Sequence, residues 1–197
     1  MENTKLILGS KSPRRKELLG KIGLPFEVQP SNVPEPPFSE GEPAAYAVGL
    51  AGLKAADISA NFPGAIVIGA DTIVLVNNQV LGKPINPADA RKMLQLLSGR
   101  THQVITGYSI QHKNLGIINN SHVTTDVRFK KLSDNEIELY VDSGDPFDKA
   151  GSYGIQDYSS VFVDHLEGCF YNVMGFPISD FNTTLMRILS ENNLIIE

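Results

Sequence analysis

Leu6-Ile7-Leu8-Gly9-Ser10-Lys11-Ser12-Pro13-Arg14-Arg15 decides the architecture: three apolar residues stop at a glycine, and a serine-proline pair then opens a new periodicity. Leu18, Leu19 and Ile22 follow at helical spacing. Ser12 can accept an N–H that the first helical turn leaves unpaired, and Pro13 has no N–H to lose. The stretch therefore reads as strand, turn and helix. Its turn gathers backbone N–H groups, hydroxyls, the positive end of a helix dipole and two guanidinium forks.

Working outward, Phe26 to Gln29 reads as a second strand, followed by a proline-rich loop from Pro30 to Pro37 that contains Glu35. A helix is expected from Pro43 to about Asn61, and Ala65-Ile66-Val67-Ile68 is an apolar run of the kind buried inside a sheet. That strand is expected to stop at Gly69-Ala70-Asp71-Thr72, which puts an ionisable residue at a strand end, where open α/β sheets form their ligand crevice. Ile73 to Val76, Asn77-Asn78 and Gln79 to Leu81 read as a hairpin with Lys83 just beyond it. Pro87 to Leu97 is an amphipathic helix, Gln103 to Ile110 and Ile117 to Phe129 are longer strands, and Ser133 with Glu136 is a capping box for a helix to about Val141. After the glycine-rich Gly151-Ser152-Tyr153-Gly154, short strands are expected at Val161 to Val163 and Tyr171 to Met174, then a last helix from Pro177 to Leu189. Helices and strands mix without a strict repeat, so the expectation is one α/β unit over residues 1–197 with a mixed sheet flanked by helices.

With 197 residues, 42% hydrophobic and 20% charged, the chain has ample material for a core. The first residues show no signal-peptide pattern, and no apolar run approaches the length of a membrane span. Together with a single cysteine, Cys169, read as a small buried side chain, this gives the expectation of a cytoplasmic protein without membrane association. A net charge of −5 argues against nucleic acid as a partner and asks for a local basic cluster or a cation at any site for a small anion. His102, His112, His122 and His165 have no zinc-ligand spacing.

Asp71 suits an oxygen ligand for Mg²⁺ or a proton acceptor for water, although a structural Asp capping a turn fits equally well. Lys83, Lys54 and Lys149 can each neutralise phosphate or simply be solvated. Gln156 can both donate and accept, as a base edge requires.

Taken in order, Leu8 to Leu19, Ile68-Gly69-Ala70-Asp71-Thr72-Ile73-Val74, Leu81-Gly82-Lys83-Pro84, Leu97 to Val104, Asp148 to Gln156 and Val173-Met174-Gly175-Phe176-Pro177 resemble the Maf family of nucleoside-triphosphate pyrophosphatases across nearly the whole chain. The resemblance implies an elongated two-lobed fold akin to inosine-triphosphate pyrophosphatases and Mg²⁺- or Mn²⁺-dependent cleavage between the α and β phosphates of a nucleoside triphosphate. On it, Asp71 is the general base and a metal ligand, Glu35 a second metal neighbour, and Ser10, Arg15, Lys54, Lys83 and Lys149 the phosphate-binding set. Arg14, Thr72 and Gln156 match the branch that hydrolyses dTTP and UTP, with modified pyrimidine triphosphates as further targets. A homodimer rests on the resemblance alone. A second class stays open: a nucleotide-binding regulator of cell division that acts through a protein partner, against which the retained Asp71, Lys83 and Lys149 argue.

Overall fold

A computed structural model describes residues 2–197 and bears out the α/β class. Strand β1 (Glu2–Thr4) precedes β2 (Leu6–Leu8), and α1 (Pro13–Gly20) starts where expected, with the Ser12 hydroxyl accepting from the Arg15 N–H at 3.4 Å. Then come β3 (Glu27–Val28), α2 (Pro43–Asn61), β4 (Ile66–Val76), β5 (Gln79–Leu81), α3 (Pro87–Leu97), β6 (Thr101–His112), β7 (Ile117–Phe129) and α4 (Asp134–Asp142). Short 3₁₀ turns at Asp145–Asp148, Ala150–Ser152 and Tyr158–Phe162 lead into β8 (Val163–Glu167), α5 (Phe170–Val173), α6 (Ile178–Glu191) and β9 (Leu194–Ile196). The main sheet runs β3-β2-β4-β6-β7-β8, with β5 paired to β4; β3, β2 and β4 are mutually parallel and the rest antiparallel.

Three expectations need correction. The strand does not stop at Gly69: β4 runs through it to Val76, so Asp71 sits mid-strand, paired in register with Gly107 of β6. Gly69 marks a close approach instead, since a Cβ there would collide with the Ala51 carbonyl of α2, and one at Gly107 would lie 2.5 Å from the Val48 nitrogen. Tyr171 to Met174 is not a strand. Most of it is the single turn α5, bracketed by Gly168 and Gly175 at φ 127° and 107°, with the Asn172 amide donating to Val104 O at 2.9 Å and Thr125 Oγ1 at 3.0 Å. Val161 and Phe162 close a 3₁₀ turn, and β8 begins only at Val163. The parallel pair β1–β9, formed by residues far apart in sequence, has no local signal.

Alternation along β4 gives it two distinct faces. Val67, Gly69, Asp71 and Ile73 face α2. On the opposite face, Ile66, Ile68 and Ala70 join a core with α1 and α6, whereas Val74 and Val76 join a second core with α3 and α4. Thr72 stands between those two cores. Among the described residues, no helix is long and apolar enough to cross a membrane.

Candidate active site

A cleft of about 910 Å³ opens over this junction, lined by Ser10, Arg14, Arg15, Glu35, Lys54, Asp71, Thr72, Lys83, Lys149 and Gln156. All ten site residues expected from the sequence therefore line one space, of a volume suited to a nucleotide-sized ligand.

The α2 side is built on charge. Because the two glycines let α2 lie against the sheet, Lys54 reaches Asp71, with Nζ 2.6 Å from Oδ1, and both residues are 8% exposed. The same ammonium lies 2.7 Å from Glu35 Oε1. Burial opposes ionisation of Glu35, but the Lys54 hydrogen bond and charge, with Lys83 and Arg15 nearby, hold its carboxyl below the ordinary value. The loop that carries Glu35 is held to α2 at two other places. Tyr46 donates from its hydroxyl to Pro36 O at 2.7 Å, and Ser31 donates to Asp57 at 2.8 Å.

Two carboxylates already share a cation here, and each has a second oxygen left over. Hard oxygen donors of this kind suit Mg²⁺ or Mn²⁺, which take one or two carboxylates and complete their shell with phosphate oxygens and water. The residues thus fit the ion when phosphate is present. Among the described residues no group of three or more His, Cys, Asp or Glu side chains could hold a metal by themselves.

The opposite side is built on neutral groups and arginine. Arg15 donates from Nε to Gly175 O at 2.9 Å, from Nη1 to Ser10 Oγ at 3.3 Å and from Nη2 to Thr72 Oγ1 at 2.9 Å. Burial makes this guanidinium easier to deprotonate, while Asp71 and Glu35 act the other way. Thr72 Oγ1 lies 2.9 Å from Thr106 Oγ1, and Thr106 donates to Asn172 O at 3.0 Å. Thr106 and Asn172 carried no sequence signal, since a threonine in a strand and an asparagine near a turn are ordinary.

At the mouth, Arg14 donates from Nη1 to Asp148 Oδ2 at 3.0 Å across 134 residues of chain. Lys149 is 8% exposed and donates to Asp145 O at 2.5 Å and Asp148 Oδ1 at 2.6 Å, with Asp157 Oδ2 at 3.1 Å. Burial disfavours the Asp148 carboxylate, yet Lys149 and Arg14 together keep its pKa below the usual value. Lys83 and Gln156 are exposed on the cleft wall. Cys169, expected to be buried, is partly exposed at the start of α5.

The sequence pattern of the family described as Maf-like protein matches residues 5–188. A Moorella thermoacetica protein named dTTP/UTP pyrophosphatase is 46% identical over 175 residues, covering 89% of this chain and 90% of its own length. A Bacillus cereus (strain AH820) protein of the same name is 46% identical over 190 residues and 96% of each chain. Among solved structures, a HAM1 protein from Coxiella burnetii aligns with a TM-score of 0.54 at 13% identity, over 95% of this chain and 100% of its own, a likeness of fold alone.

Proposed function

The chain belongs to the Maf-like protein family, and from that membership we propose that it is a nucleoside-triphosphate pyrophosphatase of the cytosol, cutting dTTP or UTP to the monophosphate and pyrophosphate. The substrate follows the names of the relatives at 46% identity. The observation that carries the reaction type is the division of the cleft. Asp71 and Glu35 gather on Lys54 at one side, and Arg15, Arg14, Lys83 and Lys149 stand along the rest. An acidic protein needs such a local cationic set to hold a polyanion.

Lys54 fixes one Asp71 oxygen and so aims the carboxylate. The other oxygen is left to orient a water and take its proton as the water oxygen attacks the α phosphorus. The α–β phosphoanhydride bond breaks, and pyrophosphate leaves with the electron pair. Arg15 and Lys83 offset the charge that builds on it, with Ser10 adding a hydroxyl, and Lys149 joins them by exchanging Asp148 or Asp157 for a phosphate oxygen. Mg²⁺ or Mn²⁺, held by Asp71, Glu35 and phosphate oxygens when bound, would polarise the phosphoryl group and acidify the water. Arg14, Thr72 and Gln156 read the base in this proposal.

The test is pyrophosphate release from dTTP, UTP, CTP, GTP and ITP with Mg²⁺ or Mn²⁺, run beside Asp71→Asn. Turnover of dTTP and UTP that drops about 10²–10⁴-fold in the variant is expected. An unchanged kcat removes Asp71 as the base, and silence on every nucleotide rejects the reaction and leaves a nucleotide-binding regulator.

A further inference from the structure

We propose that Thr106, a buried residue of β6 outside the cleft lining, determines the preference for uracil and thymine over cytosine by fixing the direction of the Thr72 hydroxyl. The inference rests on the pyrimidine-nucleotide reading above and deepens it.

The direction follows from the acceptors. The Asn172 carbonyl can only accept, so the single hydroxyl proton of Thr106 goes to it at 3.0 Å. Thr72 and Thr106 are register partners across β4 and β6, with their oxygens 2.9 Å apart. With the Thr106 proton spent, the Thr106 oxygen at 2.9 Å is the nearest acceptor for the Thr72 proton. Arg15 Nη2, which can only donate, takes one Thr72 lone pair at 2.9 Å. What Thr72 still offers the cleft is a lone pair and no proton. The other acceptor within reach of Thr72, Gly175 O, lies at 3.4 Å, long for a hydroxyl donor, and already accepts from Arg15 Nε at 2.9 Å, so it competes poorly for the proton. Thr106 and Asn172 are fully buried, so water cannot compete for the link between them.

A serine or threonine hydroxyl ordinarily turns to suit either a donor or an acceptor, and this one is locked. Uracil and thymine carry an N–H at ring position 3, where cytosine carries a bare nitrogen. A fixed acceptor rewards the first and leaves the second facing lone pair against lone pair. The other two proposed base readers cannot make that distinction. The exposed Gln156 amide can turn to present either oxygen or NH₂, and Arg14 donates only, which suits the position-2 carbonyl that uracil, thymine and cytosine share.

The test compares kcat/KM for UTP and CTP in wild type, Thr106→Val, Thr106→Ser and Thr72→Val. In Thr106→Val the Thr72 proton loses its near acceptor, and with only the long contact to Gly175 O left it can turn to cytosine, so the UTP:CTP ratio should fall about tenfold, the scale of one mismatched buried hydrogen bond. Thr106→Ser should keep the wild-type ratio. A merely structural role would slow both nucleotides together, and an unchanged ratio in Thr106→Val overturns the proposal. Should that variant not fold, Thr72→Val decides: it must lower the ratio, and a preserved ratio overturns the proposal. A wild type that turns over UTP and CTP equally overturns it while leaving the pyrophosphatase standing. A wild type inactive on every nucleotide rejects the reaction itself, and this inference with it.

Discussion

Asp71 and Thr72 are neighbours in sequence, yet the two faces of β4 solve the problem of a buried polar group by opposite means. On the α2 face the solution is ionic: one ammonium serves two carboxylates, at 2.6 and 2.7 Å. On the other face no carboxylate takes part: a chain of hydroxyls ends on a carbonyl between two apolar cores, with the Arg15 guanidinium donating to Thr72. The ionic side requires a separate helix to be brought against the sheet, and Gly69 and Gly107 make room for it. On the neutral side strand register alone places Thr72 opposite Thr106, and the α5 turn and α1 then supply the Asn172 carbonyl and the Arg15 guanidinium. A charge pair of this kind is costly to break and adjustable in use, whereas a chain of hydroxyls is cheap to build and fixed in direction.

The largest effect should come from breaking the ionic side. Lys54→Met leaves two carboxylates facing one another without their shared cation, and a loss of about 3–5 kcal/mol is expected in urea denaturation. A loss below 1 kcal/mol would mean that Asp71 and Glu35 re-solvate freely and that the pair does not hold the loop. The next effect separates the faces by pH. His102 lies on the neutral face, 2% exposed, with Nε2 2.7 Å from the Tyr153 hydroxyl and Nδ1 unpartnered, and burial lowers its pKa from 6.5 to about 4. Between those values the unfolded chain takes up a proton that the folded chain refuses. Stability is therefore full above the unfolded value and is lost as pH falls toward the folded one, by up to roughly 3 kcal/mol. His102→Gln should flatten that part of the pH–stability curve, and an unaltered curve assigns the loss to other groups.

A smaller effect tests the close approach. Gly107→Ala places a methyl 2.5 Å from the Val48 nitrogen and 2.6 Å from the Ala47 carbonyl carbon. The expected cost is about 1–3 kcal/mol, with activity falling further than stability because Lys54 moves with α2. Activity unchanged beside lowered stability would uncouple the helix position from the site. The smallest effect belongs to the mouth. The Arg14–Asp148 pair has side chains 27% and 59% exposed, so Arg14→Ala should change stability by less than about 1 kcal/mol. Any sizeable consequence should then appear in KM, and a larger stability loss would make the pair a strut rather than a binding group.

Much of this was legible where local signals agreed. Ser12 with Pro13, and Ser133 with Glu136, mark helix starts by chemistry that acts within four residues, and both caps form as expected, the second as a full capping box. Asn77-Asn78 likewise supplies a hairpin turn through two left-handed residues, at φ 49° and 62°. Failures came where distant contacts decide. Tyr171 to Met174 has strand-like composition, but Asn172 is held by Val104 and Thr125, and the backbone closes a helical turn around it. Gly69 looked like a terminator because a glycine's need for space is invisible until the helix above it is placed. In the cleft, Asp71 and the lysines each also fit a capping or solvated residue, and it was their order along the chain, through the family resemblance, that picked them out. The groups behind the site, Tyr46 and Asp57 that hold the Glu35 loop and Thr106 and Asn172 that hold Thr72, gave no such signal, because each is of a common type and acts through a neighbour remote in sequence.

Gly151 has a final consequence. At φ 66° it lies flush on β4, where a Cβ would come within 2.9 Å of Val74, and its N–H donates to Gly82 O at 3.0 Å. The segment that presents Gln156 is therefore moored to the strand that carries Asp71 and Thr72, and to the hairpin arm that ends at Lys83. In the roles proposed for them, the base readers and the general base thus share one frame, and a displacement of one carries the other.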